Sequence, residues 1–248
     1  MFDHFIIMAS SYRKGTRIAL QYVYDGGVDT NEIQKVIELI EQAGDKNFSY
    51  STHFVCTMSE SWESVVSYDP FFEDVYLVES LEEMLFILEK DIKLSGLDIA
   101  KYILTKRNCT HLELEKLLYL CYADYLCMYK KRLCEDTIYA FRYGPVMDSV
   151  YEKYSHHNGL LGSELTTLVA QSRILLLPDG KEKLESIERT LEKYSKCSAY
   201  DMVNITHAKG SPWASKDSSK WYQIIEDSLI QEKHSVEEEY FEKQINNI

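Results

Sequence analysis

The sequence predicts an α+β protein in which a small α/β layer domain precedes a mainly α-helical domain. Up to residue 93, short runs rich in β-branched and aromatic residues alternate with amphipathic helix patterns. From residue 94 onward, apolar residues recur mainly at helical spacing. The composition changes within KLSGL (Lys93–Leu97), where a glycine lies between charged segments. We therefore place the boundary there, between domains of residues 1–93 and 94–248.

The N-terminal domain is predicted to have the element order β-β-α-β-β-α. Capping pairs mark the start of both helices, Asp29 with Glu32 and Ser80 with Glu83, and Gly44 is suited to close the first one. This order indicates one sheet with an apolar face covered by helices. The predicted strands are Phe5–Ala9, Arg17–Tyr24, His53–Met58 and Val75–Val78.

A long central helix is predicted in the C-terminal domain. Thr110 and Glu113 form a capping box, and the following pattern, His111–Leu126, is apolar nearly all round. A helix without a polar face is buried on every side. Thr137–Tyr143 is then predicted as extended chain, and Gly144-Pro145 as the start of the next helix, with proline at the first helical position.

The rest of this domain is predicted to be helical apart from one strand, Arg173–Leu177. Ser198 caps a helix that ends near His207, and Trp221 opens another helix pattern. The acidic tail from Ser235 has a further capping pair. We expect it to form an exposed or partner-dependent helix.

Composition and charge limit the functional class. The 248 residues carry a net charge of −13, of which −10 falls within residues 1–96. An acidic N-terminal half argues against direct nucleic-acid binding, because phosphate contacts need lysine and arginine. The chain shows no apolar run long enough for a bilayer, no basic leader and no C-x-x-C pair among its six cysteines. We expect a cytoplasmic protein with reduced cysteines and no membrane association.

The segment FRYGPVMDSVY (Phe141–Tyr151) contains the first candidate partner-binding residues, Arg142, Tyr143 and Asp148. A junction between extended chain and a helix start exposes backbone N–H groups, and an arginine beside it could hold a carboxylate or phosphate. The alternative is structural: glycine and proline fix a sharp turn while Arg142 and Tyr143 pin it to the core.

His207 and Trp213 are further candidates. A histidine can act as an acid or base near neutral pH, but the sequence designates no nucleophile or second acid beside it. Structural use, with Trp213 packed on His207, is the alternative, and tryptophan also suits an interface anchor. His156 and His157 are adjacent, whereas metal ligands on a helix need a spacing of three or four residues. We expect no catalytic site, no metal and no cofactor.

The stretch from Glu60 to Asp91 has ten acidic residues and one basic residue. It could receive a basic partner or imitate nucleic-acid charge, or it could be a solvated face. We expect Trp62, Phe71 and Phe72 to be exposed among these acids and to act as candidate interface anchors, because interface hot spots favour aromatic side chains.

Three segments in order, KLLYLCYADYL (Lys116–Leu126), FRYGPVMDSVY and ITHAKGSPW (Ile205–Trp213), resemble the Panacea antitoxin domain, also called SocA-like. The resemblance covers residues from Leu94 to the mid-220s. It implies a mostly helical, non-catalytic domain that neutralises a co-encoded protein toxin by binding it, with delivery of the toxin to a protease as a variant of this role. The alternative is an acidic decoy, of phage origin for example, that blocks a basic nucleic-acid-binding protein. Neither hypothesis predicts the oligomeric state.

Overall fold

The computed structural model divides the chain into two compact units, Met1–Lys93 and Leu94–Ile248. The residues that the structure describes are 1–43, 49–216, 220 and 222–244. Gly44 and Trp221, for which helix roles are predicted, lie outside these ranges. The strands and helices of the N-terminal unit are β1 (Phe2–Ser11), β2 (Thr16–Asp25), α1 (Thr30–Ala43), β3 (Ser51–Thr57), α2 (Trp62–Tyr68), β4 (Tyr76–Leu77) and α3 (Leu81–Asp91).

The N-terminal unit is a four-stranded sheet with the strand order β3-β1-β2-β4. β1 pairs antiparallel with both β2 and β3, and the short β4 runs parallel to β2. One face packs Phe5 and Ile7 against α1 and α3, while the other packs Ile6 and Met8 toward α2. Because both faces are covered, β1 is apolar without alternation. Helix α2 is absent from the predicted order.

The C-terminal unit is mainly helical, which confirms the predicted α+β class. Its largest helix is buried all round, as its sequence predicts, and begins at the predicted Thr110–Glu113 capping box. Its elements are α4 (Gly96–Lys106), α5 (His111–Tyr129), β5 (Ile138–Phe141), β6 (Gly144–Met147), α6 (Asp148–Tyr154), α7 (Thr167–Leu175), α8 (Gly180–Lys193), α9 (Ala199–Thr206), β7 (Gln223–Ile224) and α10 (Asp227–Gln244).

Several local predictions in this unit are wrong. The helix pattern expected from Trp221 onward is interrupted, because Gln223–Ile224 forms the strand β7. Gly144-Pro145 does not start a helix; it begins β6, which pairs with β5 as a hairpin, and the helix starts only at Asp148. Arg173–Leu177 is not a strand, since α7 continues to Leu175. Ala170 and Ile174, four residues apart, both face the core, and the buried Arg173 pairs with Asp98 at 3.4 Å. These contacts need helical spacing.

The acidic tail is also not an exposed helix starting at Ser235. Helix α10 begins at Asp227 and packs against α5. His234, Glu237 and Phe241 are all buried, at spacings of three and four residues. Among the helices within the described ranges, none combines the length and apolar character that crossing a membrane requires.

Candidate functional site: the β5–β6 hairpin and its support

The exposed tip of the β5–β6 hairpin is formed by Arg142 and Tyr143. Phe141 pairs with Gly144 across the turn, so these two residues form the connection between the strands. Both are exposed, Tyr143 by 58%, and the Arg142 guanidinium carbon lies 5.4 Å from the centre of the Tyr143 ring. The tip is thus an arginine–tyrosine pair facing solvent, which contradicts the alternative that both residues pin the turn to the core.

The base of the hairpin, meaning the part of its two strands directly beneath the tip, is fastened by Lys116, a fully buried residue of α5. Its ammonium donates a hydrogen bond of 2.6 Å to the carbonyl oxygen of Pro145. Burial lowers the pKa of Lys116 to about 8. Gly144 has a φ of +110°, and a Cβ added there would lie 3.0 Å from the Lys116 Nζ. Glycine is therefore required both by the backbone and by the lysine packed against it.

Trp213 and His207 support the other strand of the hairpin. The indole Nε1 of Trp213 donates to the carbonyl oxygen of Phe141 at 2.7 Å. The indole also stacks on the imidazole of His207, with centroids 3.6 Å apart and planes 3° apart. Burial, together with the charge of Lys116, lowers the pKa of His207 to about 4, so its ring is neutral near pH 7. This arrangement matches the alternative in which His207 and Trp213 have a structural role, with Trp213 packed on His207.

Asp148 is half-buried and begins α6 directly after β6. Of the candidate residues in the C-terminal unit, Arg142 and Tyr143 therefore occupy the hairpin tip, His207 and Trp213 support its base, and Asp148 follows its second strand.

The three candidate aromatics of the N-terminal unit do not form the expected exposed set. Phe72 is only 3% exposed and meets Trp62 edge to face at 5.7 Å, so both belong to the core beside α2. Their apolar rings pack there because they cover the apolar face of the sheet that lies toward α2. Phe71 is 47% exposed, but the guanidinium of Arg17 lies over its ring at 4.6 Å.

Sequence reasoning missed Glu115 and Lys116 as site residues. Glu115 is buried, its Oε1 has no hydrogen-bond partner within the described part of the chain, and burial raises its pKa. The Nε2 of His207 is likewise buried and has no partner among those residues. The signal in the sequence is an adjacent Glu-Lys pair inside a largely apolar helix, because buried charges persist only with a specific reason.

A second buried polar cluster joins α5, α8 and α10, and sequence reasoning missed it too. The imidazole of His234, 1% exposed, lies between two carboxylates: Nε2 is 2.7 Å from Asp124 Oδ1, and Nδ1 is 2.7 Å from Glu237 Oε2. Tyr119 donates to Glu237, and Thr190 donates to Asp124 at 2.7 Å. Although burial opposes it, hydrogen bonding to the two carboxylates raises the pKa of His234 to about 9. Because this pKa lies above 7, His234 is an imidazolium at neutral pH, and it holds α10 in place.

Lys193 completes this cluster at its solvent side. Its ammonium lies 2.8 Å from Glu238 and 3.8 Å from Asp124. The signal in the sequence is the spacing of His234 and Glu238, four residues apart on one helix, which places both side chains on one face.

The C-terminal unit is thus a helical scaffold around one buried helix, and it presents a hairpin whose two strands are each held by a side-chain hydrogen bond. Comparison with known proteins identifies its class: residues 114–214 match the family described as "Antitoxin SocA-like, Panacea domain", so this unit contains a Panacea domain. The chain is also similar to Antitoxin SocA of Caulobacter vibrioides, with 28% identity over 108 residues. That match covers 42% of this chain and 57% of the relative, so it spans less than two thirds of either protein. No solved structure matches the chain significantly.

Proposed function

We propose that this protein is an antitoxin that neutralises a cognate protein toxin by binding it directly, with the hairpin tip as a principal contact. The observation that carries the proposal is the exposure of Arg142 and Tyr143 within the region that matches the antitoxin family. Arginine and tyrosine are both enriched among the residues that dominate binding energy at protein interfaces.

The support beneath the tip favours this role. Lys116 holds β6 through Pro145, and Trp213 holds β5 through Phe141, so both strands are fixed before a partner arrives. A preformed contact surface loses little conformational entropy on binding, which increases affinity. We accordingly assign His207 and Trp213 to positioning the hairpin, and Arg142 and Tyr143 to contact with the toxin.

The test is co-expression with the protein encoded by the adjacent reading frame, after that protein alone has been shown to stop growth. The double variant Arg142→Ala/Tyr143→Ala should lose neutralisation and bind the purified toxin at least tenfold more weakly, with thermal unfolding nearly unchanged. Surface changes away from such contacts usually alter stability by about 0.5 kcal/mol or less.

The matched control is Lys181→Ala/Tyr200→Ala. These side chains are also exposed, Lys181 by 86% and Tyr200 by 73%, and Tyr200 lies two helical turns before His207. The control should neutralise as the natural protein does. Full neutralisation by the hairpin variant would exclude the tip as the contact. Neutralisation that requires a cellular protease would exclude direct inhibition in favour of delivery, and an adjacent protein that is not toxic would favour the acidic decoy.

A further inference from the structure

We propose that Asp124, His234 and Glu238 form a binding site for a divalent transition-metal ion of the zinc type, which fastens α10 to α5. One potential ligand atom from each residue lies within 4.8 Å of the other two. An imidazole nitrogen with two carboxylate oxygens is a donor set that suits Zn²⁺, and three protein ligands leave a fourth position for water. This inference does not depend on the antitoxin proposal.

The surroundings of His234 match those of a metal-binding histidine. Its Nδ1 faces the buried carboxylate of Glu237, which is held in turn by the hydroxyl of Tyr119. Histidines that bind metals through one nitrogen usually donate the other N–H to such a carboxylate, which fixes the ring and its tautomer. The Nε2 of His234 is then left to face Asp124.

An independent observation favours a polar ligand at this place. The hydroxyl of Tyr194 is fully buried and has no hydrogen-bond partner among the described residues. The ammonium of Lys193, which lies 2.8 Å from Glu238, is 5.1 Å from the centre of the Tyr194 ring. An unpaired buried hydroxyl is costly, and a metal-bound water would satisfy it.

Lys193 competes with the metal for the same carboxylates. Its ammonium lies 2.8 Å from Glu238 and 3.8 Å from Asp124, so it neutralises them when no ion is bound. On metal binding, Nε2 of His234 releases its proton to solvent and the ammonium turns outward, since the Lys193 side chain is already 26% exposed. Competition predicts that removing this lysine strengthens metal binding.

The test is a calorimetric titration of the full chain with Zn²⁺ after treatment with a chelator, with Mg²⁺ as the control ion. Cys56 is an exposed thiol that could bind Zn²⁺ by itself, so every variant carries Cys56→Ser. We expect one Zn²⁺ per chain and no Mg²⁺. Affinity should fall at least tenfold in Glu238→Gln and rise in Lys193→Met. The matched control is Glu239→Gln, at the next carboxylate, whose side chain is 63% exposed against 44% for Glu238 and which should bind as before.

His234→Gln should abolish Zn²⁺ binding. If His234→Gln does not fold, Glu238→Gln gives the decisive result, because the carboxylate of Glu238 lies at the solvent side of the cluster. Loss of Zn²⁺-induced stabilisation against heat in Glu238→Gln but not in Glu239→Gln would support the site. Absence of binding, equal binding by these two variants, or weaker binding by Lys193→Met would show that the cluster is an ion-pair network only.

Discussion

Helix α5 carries buried charges at two places, and the two differ in how completely they are paired. Near its start, the Oε1 of Glu115 has no hydrogen-bond partner among the residues that the structure describes, and Lys116 donates to the carbonyl oxygen of Pro145. Two turns further on, both oxygens of Asp124 accept hydrogen bonds, one from His234 and one from Thr190. The first place positions a backbone turn, whereas the second joins three helices.

The difference separates a cluster that contributes stability from the cluster beneath the hairpin that we propose binds the toxin. Buried charges whose polar atoms are all paired fix one packing arrangement, while incompletely paired charges are retained at a cost in stability. The incompletely paired charges lie beneath the hairpin, within the match to the antitoxin family. The cluster at His234 reaches outside that match, because α10 begins after residue 214.

Replacing His234 by leucine should have the largest effect on stability. It leaves Asp124 and Glu237 buried without the imidazolium between them, and breaking a buried ion pair typically costs about 3–5 kcal/mol. Urea unfolding of the full chain in the presence of a chelator measures this cost. His156→Leu, at an exposed histidine, should change stability by about 0.5 kcal/mol or less. A cost below about 1 kcal/mol for His234→Leu would show that the cluster at His234 does not contribute more to stability than the cluster at Lys116.

Two of the wrong predictions concern these two places, and the reason is the same in both. Gly144-Pro145 satisfies the local preferences of a helix start, but the hairpin is selected by Lys116, which is distant in sequence. The acidic tail around His234 has the local composition of a solvated helix, but its partner Asp124 lies 110 residues earlier. A single sequence shows local propensity and periodicity, and it does not show which distant side chain will pair with a buried charge.

The central helix and the sheet of the N-terminal unit could be predicted because their signals are local and agree with each other. Capping pairs, apolar periodicity and turn residues all indicate the same elements there. The candidate site was only partly predictable. Arg142, Tyr143, His207 and Trp213 come together around the hairpin, while the residue that fastens its base, Lys116, is identified only by its burial.

Lys116→Met should destabilise the protein by about 1–3 kcal/mol, less than the change at His234. The carbonyl of Pro145 loses its donor, which leaves a buried acceptor unpaired. Removal of the buried ammonium partly offsets this loss, because folding then no longer includes the free-energy cost of desolvating a charge. Urea unfolding next to Lys181→Met, an exposed lysine, gives the comparison. If Lys116→Met costs more than His234→Leu, the proposed order of the two clusters is reversed.

The smallest expected effect is a pH dependence at the hairpin base. The pKa of His207 is about 4 in the folded protein, below its ordinary value of 6.5, because burial and the charge of Lys116 disfavour the protonated ring. The unfolded chain therefore binds a proton first as pH falls. The stability that a neutral His207 contributes is complete above about pH 6.5 and is lost as pH falls toward 4.

Glu115 acts in the opposite direction, so the effect of His207 must be isolated by difference. Burial raises the pKa of Glu115, and its folded form binds a proton before the unfolded chain does, which adds stability as pH falls. We expect the difference in urea midpoint between the natural protein and His207→Gln to decrease from about pH 7 to about pH 5. His156→Gln provides the baseline for the substitution itself. A difference that stays constant over this range would mean that His207 is not held neutral at the hairpin base, and the contrast with the charged His234 would fail.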